Sequence, residues 1–265
     1  MVVRLARTFL SASAVFRCWP QNAVGSIWTV LLLKTVFLLT PQVASGLPLS
    51  MLYPFNRTAG DSDTEKSDDG GSGKVSLTQP FPFFGRRHDK LYVNNNGLIS
   101  FVSELRTYRP SDFPLRDPTP VIAPFWADVD IDKVGGRVWY RETNDSQVLT
   151  RAVDDVTKLG AGLWTFRPTT AFVATWDHVG FYGAANEGKE KRNTFQVVLV
   201  HDWNMSFAIF IYHEIEWTTG SNSHGTPESG LGGNPAQTPA LLAISWACAE
   251  KAGIALHVLW DFIRT

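Results

Sequence analysis

The chain has 265 residues, 44% hydrophobic, 18% charged and 12% aromatic, enough apolar material for a sizeable core in one large or two small domains. Residues 1–50 carry Arg4, Arg7, Arg17 and Lys34 and no carboxylate, so residues 51–265 hold 20 basic against 25 acidic side chains, a formal −5. That balance argues against a phosphate-binding surface and so against nucleic acid as a partner.

The basic start leads into IWTVLLLKTVFLL (27–39) and then TPQVASG (40–46). A positive flank, a short apolar run and small residues at Ala44 and Gly46 are the parts of a secretory signal, which assigns 1–46 as a signal segment. The apolar run of 13 residues is shorter than the roughly 20 that span a bilayer. Lys34 interrupts it and the basic flank is long, so an uncleaved signal-anchor is the rival reading. Only that rival brings the chain to a membrane. Of the two cysteines, Cys18 lies in this segment, which leaves Cys248 alone in a domain expected to lack internal disulfides. Three sequons fit export: Asn56-Arg-Thr58, Asn144-Asp-Ser146 and Asn204-Met-Ser206.

LPLSMLYPF (47–55) precedes NRTAGDSDTEKSDDGGSGK (56–74), whose single apolar residue is Ala59. Residues 47–74 form an acidic, Gly/Ser-rich lead-in, and 56–74 is expected to be a flexible, solvated loop. DSDTE and DDGG suggest calcium, but no spacing there matches a defined oxygen cage.

From residue 75 the pattern is β-like, and 75–118 reads as a β-hairpin lead-in. Pro80 and Pro82 in VSLTQPFPFFG (75–85) suit an edge strand or a strand end. In LYVNNNGLISF (91–101) two strand candidates, Leu91–Val93 and Leu98–Phe101, flank Asn94, Asn95, Asn96 and Gly97. Asn95, Asn96 and Gly97 are turn residues: Asn-Gly takes positive φ angles, and the amides can bond the turn backbone. No Ser, Cys or His beside them forms a catalytic pair, so a bend explains the run.

TPVIAPFWADVDID (119–132) alternates at its end, Ala127, Val129 and Ile131 against Asp128, Asp130 and Asp132. Period two places the three carboxylates on one strand face, with RVWYRET (137–143) as the hairpin partner across 133–136. Asp128, Asp130 and Asp132 are the best metal candidates. Their D-x-D-x-D spacing opens like an EF-hand, but Lys133 stands where Gly is needed and Trp139 where Glu is needed. Calcium would then need ligands from another loop; the alternative is a solvated strand face.

One helix is predicted after Asn144–Ser146, from the spacing of Val148, Leu149, Ala152, Val153, Val156 and Leu159, with Gly160 as its stop. Three strands follow, 171–183, 193–202 and 205–220, the last two joined at Asp202–Asn204. Residues 238–265 change character and are Ala/Leu-rich and helix-prone. The class is mainly β with one or two helices, an antiparallel, sandwich-like sheet domain with a helical C-terminal tail.

No catalytic motif is complete. His213-Glu214 opens an HExxH string that ends in Trp217, and GLGGNP (230–235) lacks a βαβ context. Arg86, Arg87, His88 and Lys90, with Lys189, Lys191 and Arg192, could bind sulfated polysaccharide, but Asp89 and Glu190 make mixed, solubilising loops the simpler account.

LYPF, DDGGSG, FPFFG, LYVNNNGLISF, APFWADVD, VWYRET, FVATWDHVGFYG, NTFQVVLV and EIEWTTG occur in an order that resembles the nidogen-like (NIDO) extracellular domain, over roughly residues 51–237. The resemblance places the domain core at 119–237 and a divergent tail at 238–265. It implies a secreted, multidomain, non-enzymatic matrix protein engaged in cell–matrix adhesion, with matrix proteins or glycoproteins as partners. It supplies no catalytic residues and no cofactor, calcium remaining the one candidate ion. A calcium-stabilised component of a self-assembling matrix is the alternative.

Overall fold

The computed structural model describes residues 46–238, except 84, 114, 116–118, 159–162 and 203–204, together with a strand at 256–260. Residues 1–45 of the signal segment, with Cys18, and Cys248, Gly160, Asn204 and the rest of the tail lie outside the described residues. Among the described residues, ten strands and one α-helix follow in order: β1 Ser62–Asp63, β2 Val75–Phe83, β3 Arg86–Asn94, β4 Leu98–Ser100, β5 Val121–Ile122, β6 Arg137–Thr143, α1 Ser146–Thr157, β7 Ala171–Val179, β8 Asn193–His201, β9 Ser206–Ile215 and β10 Leu256–Trp260. They build two sheets, β1-β6-β7-β8-β9-β10 and β2-β3-β4-β5. All pairings are antiparallel except β10 on β9.

The long sheet is buried on both faces, which is why its central strands read as near-continuous apolar runs. Phe172, Ala174 and Trp176 of β7, Phe195, Val197 and Leu199 of β8, and Ala208 and Phe210 of β9 share a core with Phe81, Phe83, Leu91, Val93 and Ile99 of the short sheet and with Phe101 just beyond β4. The alternate residues, Val173, Val198, Val200, Phe207, Ile209 and Ile211, meet Val148, Ala152 and Val156 of α1 and Leu47, Leu52 and Tyr53. Each fully buried large apolar side chain contributes about 1.5–3 kcal/mol. The result is a sandwich with a third layer made by one helix and the segment 47–55.

The helix starts where cap chemistry allows. Asp145 Oδ1 accepts the amide hydrogens of Gln147 and Val148 at 2.8 and 3.0 Å, satisfying two donors that a helix N-terminus leaves open. Its buried residues 148, 152 and 156 recur every four, one face of a helix.

Segment 47–55 is part of the fold and not merely a lead-in. Gln196 holds the Tyr53 backbone like a short strand, accepting from its N–H at 2.7 Å and donating to its C=O at 3.0 Å. The Tyr53 hydroxyl donates to Asp155 at 2.8 Å, and the Arg151 guanidinium lies 3.9 Å from the Tyr53 ring centre.

Three expectations are corrected. β6 pairs with β1 and β7, not with the aspartate-bearing stretch. That stretch is no strand: beyond β5 it makes only the isolated bridges Trp126–Gln237 and Val129–Phe181, because Asn96 takes the amides of Ala127 and Val129 that a ladder would use. The tail, expected to be helical, is extended at Leu256–Trp260, where it pairs in parallel with β9; a sheet edge offers unpaired backbone groups that outweigh a weak helical propensity. Pro80 and Pro82 do lie on an edge strand, β2, which pairs only with β3.

Candidate functional site

The tip of the β3–β4 hairpin lies against the one group of three carboxylates, among the described residues, close enough together to share a metal ion. Asn94 pairs with Leu98, leaving a three-residue loop in which Gly97 alone has positive φ, +80°. The bend is therefore a loop closed by a left-handed glycine, not the two-residue Asn-Gly turn. A Cβ on Gly97 would lie 1.8 Å from the Phe125 carbonyl oxygen.

The three asparagines do more than bend the chain. Each is at most 1% exposed. Asn94 Oδ1 accepts from the Leu105 amide at 3.0 Å. Asn95 Oδ1 accepts the Thr64 hydroxyl at 2.6 Å, and its Nδ2 donates to the carbonyls of Glu65 and Ser67 at 3.1 and 2.7 Å. Asn96 donates to Asp69 Oδ1 at 2.8 Å and accepts from the Val129 amide at 2.8 Å. From beneath, the Trp176 indole donates to the carbonyls of Asn94 and Asn95 at 3.1 and 3.0 Å. Asn95 and Asn96 serve distant segments, whereas Asn94 Nδ2 stays within the hairpin, donating to the Tyr92 carbonyl at 3.2 Å and the Ser100 hydroxyl at 3.3 Å.

Consequently the acidic stretch is ordered where the sequence predicts a flexible loop. The Thr64 amide donates to the Val138 carbonyl and the Asn95 amide to the Gly70 carbonyl, both at 3.0 Å, and the Ser72 amide to the Val93 carbonyl at 2.9 Å. Asp61 and Arg141 form a buried ion pair. Burial pushes the Asp61 carboxyl above its usual range, against the pull of Arg141.

The predicted metal triad separates. Asp130 is buried and its Oδ1 accepts from the amides of Asp132 and Lys133 at 3.0 and 2.9 Å, closing a turn. Asp132 is exposed. Asp128, 1% exposed, instead meets Asp68 and Asp69 of the acidic stretch, with one oxygen of each within 4.8 Å of the others. Asp128 Oδ2 and Asp68 Oδ1 are buried without a hydrogen-bond partner. Burial first, then the charges of Asp68 and Asp69, push the Asp128 carboxyl up to about 7, against a hydrogen bond from Asn222. Burial, then Asp130 and Asp69, push Asp68 up to about 6, with Lys133 opposing. Of the expected ligands only Asp128 is in the cluster. Asp68 and Asp69 lay within DDGG, and the missing signal was their contact with residues sixty positions away.

The remaining expected sites fall elsewhere. Asn56 is half-buried, and its Oδ1 accepts from the Thr58 amide and hydroxyl at 2.9 and 2.7 Å. Asn144 is exposed beside the start of α1. Of the basic residues, Arg86 and Arg87 are exposed on β3, so they sit on a strand and not in a loop. Arg192 caps the carbonyls of Lys189, Lys191 and Val134. A surface groove of about 630 Å³ runs over Leu98, Val121, Trp126, Asp112 and Asn234.

A model of the nidogen-like domain matches residues 89–239, more than half of the chain. The chain belongs to the nidogen-like domain family. Alpha-tectorin of Mus musculus is 44% identical over 190 residues, covering 72% of this chain and 9% of that protein. Nidogen-2 of Mus musculus is 37% identical over 202 residues, 73% of this chain and 14% of that protein. Nidogen-1 of Homo sapiens is 35% identical over 201 residues, 73% and 16%. The nidogen-like chain thus spans a small fraction of the curated relatives it matches. No solved structure matches it significantly.

Proposed function

We propose that the chain is a secreted, glycosylated module of the extracellular matrix that adheres to other matrix proteins or glycoproteins through its β-surface and transforms no substrate. The observation that carries this reading is membership of the nidogen-like family, with nidogens and alpha-tectorin among its relatives. The engagement of the buried polar groups supports it. Asn94, Asn95, Asn96 and Asp130 hold loops in place, a scaffold's use of amides and carboxylates. Glycans on Asn56, Asn144 and Asn204 belong to the same reading.

A second reading, a calcium-stabilised structural component, is favoured by the Asp68–Asp69–Asp128 cluster. The two are compatible, since one concerns what the surface binds and the other what holds the loops.

Expression of the full chain in a secretory host tests the first. Folded protein should reach the medium, shift in mass on deglycosylation, and be retained saturably on surfaces coated with matrix extract. Retention inside the cell, or no binding to any matrix coating, defeats it.

A further inference from the structure

We propose that Asp68, Asp69 and Asp128 bind one calcium ion, which ties the acidic 61–71 stretch to the turn at 126–134. Asp128 is the decisive residue. It is 1% exposed and its Oδ2 has no hydrogen-bond partner, and Asp68, one of whose oxygens lies within 4.8 Å of an Asp128 oxygen, has its Oδ1 in the same state. Buried carboxylate oxygens without donors are costly unless a counter-charge faces them. Among the described residues the compensation is small: the side chain bonded to Asp128 is the neutral Asn222, Asp130 stands near Asp68 as well, and the cation acting on Asp68 is Lys133, whose ammonium also lies 5.7 Å from the Tyr182 ring centre.

The spacing and chemistry select the ion. Calcium takes oxygens at about 2.3–2.6 Å, so oxygens on opposite sides of one ion stand roughly 5 Å apart. One oxygen from each of the three aspartates lies within 4.8 Å of the other two. An all-carboxylate set is hard and oxygen-only, which disfavours zinc and copper. Irregular loops suit calcium's loose coordination better than the strict octahedron of magnesium.

The ion has structural leverage. Asp69 also accepts the Asn96 amide, and Asn96 in turn holds Val129. An ion on Asp69 and Asp128 therefore closes a ring through the hairpin tip. This site differs from the D-x-D-x-D set, sharing only Asp128 with it.

Calorimetric titration of the EDTA-stripped full chain with CaCl2, paired with thermal denaturation, tests the assignment. The expected result is one calcium per chain, a melting temperature raised by calcium and less by MgCl2, and protection of exposed Lys66 from trypsin. Asp128→Asn should abolish the effects. Asp69→Asn, which keeps an oxygen for Asn96 at a half-exposed position, should weaken binding by about tenfold or more through loss of ligand charge, and remains informative if Asp128→Asn does not fold. Asp132→Asn should titrate like the wild type. The proposal is overturned by identical melting in CaCl2 and EDTA, by wild-type titration of Asp69→Asn, or by loss of binding in Asp132→Asn alone. Calcium binding and matrix retention are separate measurements, so either can fail without the other.

Discussion

Thr64 and Asn95 stand thirty-one residues apart, yet the Thr64 hydroxyl donates to the Asn95 side chain at 2.6 Å with both residues buried. This bond and the two from Asn95 Nδ2 hold the acidic stretch against the hairpin. Asn95→Ala removes three hydrogen bonds and takes this partner from the Thr64 hydroxyl and the Ser67 carbonyl, while the Glu65 carbonyl keeps the Ser67 amide; at about 1–3 kcal/mol for each group that stays buried, the expected loss is roughly 2–4 kcal/mol. Urea unfolding followed by tryptophan fluorescence measures it. A loss near zero means the stretch is held some other way.

Gly97 and Gly60 make a matched pair. Both have positive φ, +80° and +86°, but a Cβ at Gly60 meets nothing within 4 Å whereas one at Gly97 meets the Phe125 carbonyl. Gly60→Ala should cost only the left-handed penalty, about 1–2 kcal/mol. Gly97→Ala adds a backbone overlap that the hairpin cannot relieve without moving Phe125. Its thermal midpoint should fall several times further, or the protein should fail to reach the medium.

What the sequence disclosed follows from what pattern can carry. The near-continuous apolar runs of β8 and β9, and the four-residue recurrence in α1, are local and were legible as strands and helix. Asn95, Asn96 and Gly97 were legible as a bend for the same reason. The order of residues 61–71 was not, because it rests on amides from the hairpin and on backbone and ionic bonds to β6, and hardly at all on apolar side chains of its own. Asp128, Asp130 and Asp132 misled through their period: two-residue alternation describes a strand only if its backbone donors find a ladder, and here Asn96 takes them. LHVLW at the end of the chain is apolar enough for helix or strand, and the edge of β9 decides.

Within segment 47–55, the Tyr53 backbone is held by one amide. Gln196 binds both backbone groups of Tyr53 and also donates to Thr175 at 2.8 Å. Gln196→Ala should destabilise the protein by about 2–4 kcal/mol, because the groups it satisfies stay buried or must take up water. Hydrogen exchange distinguishes local from global loss. The Tyr53 amide should exchange much faster in the variant while those at the centre of β8 stay protected.

His201 gives the domain an acid-sensitive element. It is 8% exposed at the end of β8, with its ring edge-on to Phe81 at 5.5 Å. Burial, first, and the charge of Arg87 hold its imidazole below the ordinary value, against a backbone bond to Asp202 and the charges of Asp202 and Glu142. The unfolded chain then binds a proton that folded His201 refuses, so protonation favours unfolding. Its contribution is fully present above the unfolded imidazole's range near 6.5 and is lost as the pH falls through the lower folded value. His201→Phe keeps an aromatic ring against Phe81 and removes the titration. Stability measured by urea at pH 7.5 and 5.0 should therefore fall less in the variant than in the wild type, with every other group's contribution cancelling in the difference. Equal slopes would mean that the imidazole can be protonated in place, with the ring free to turn its charge toward Glu142.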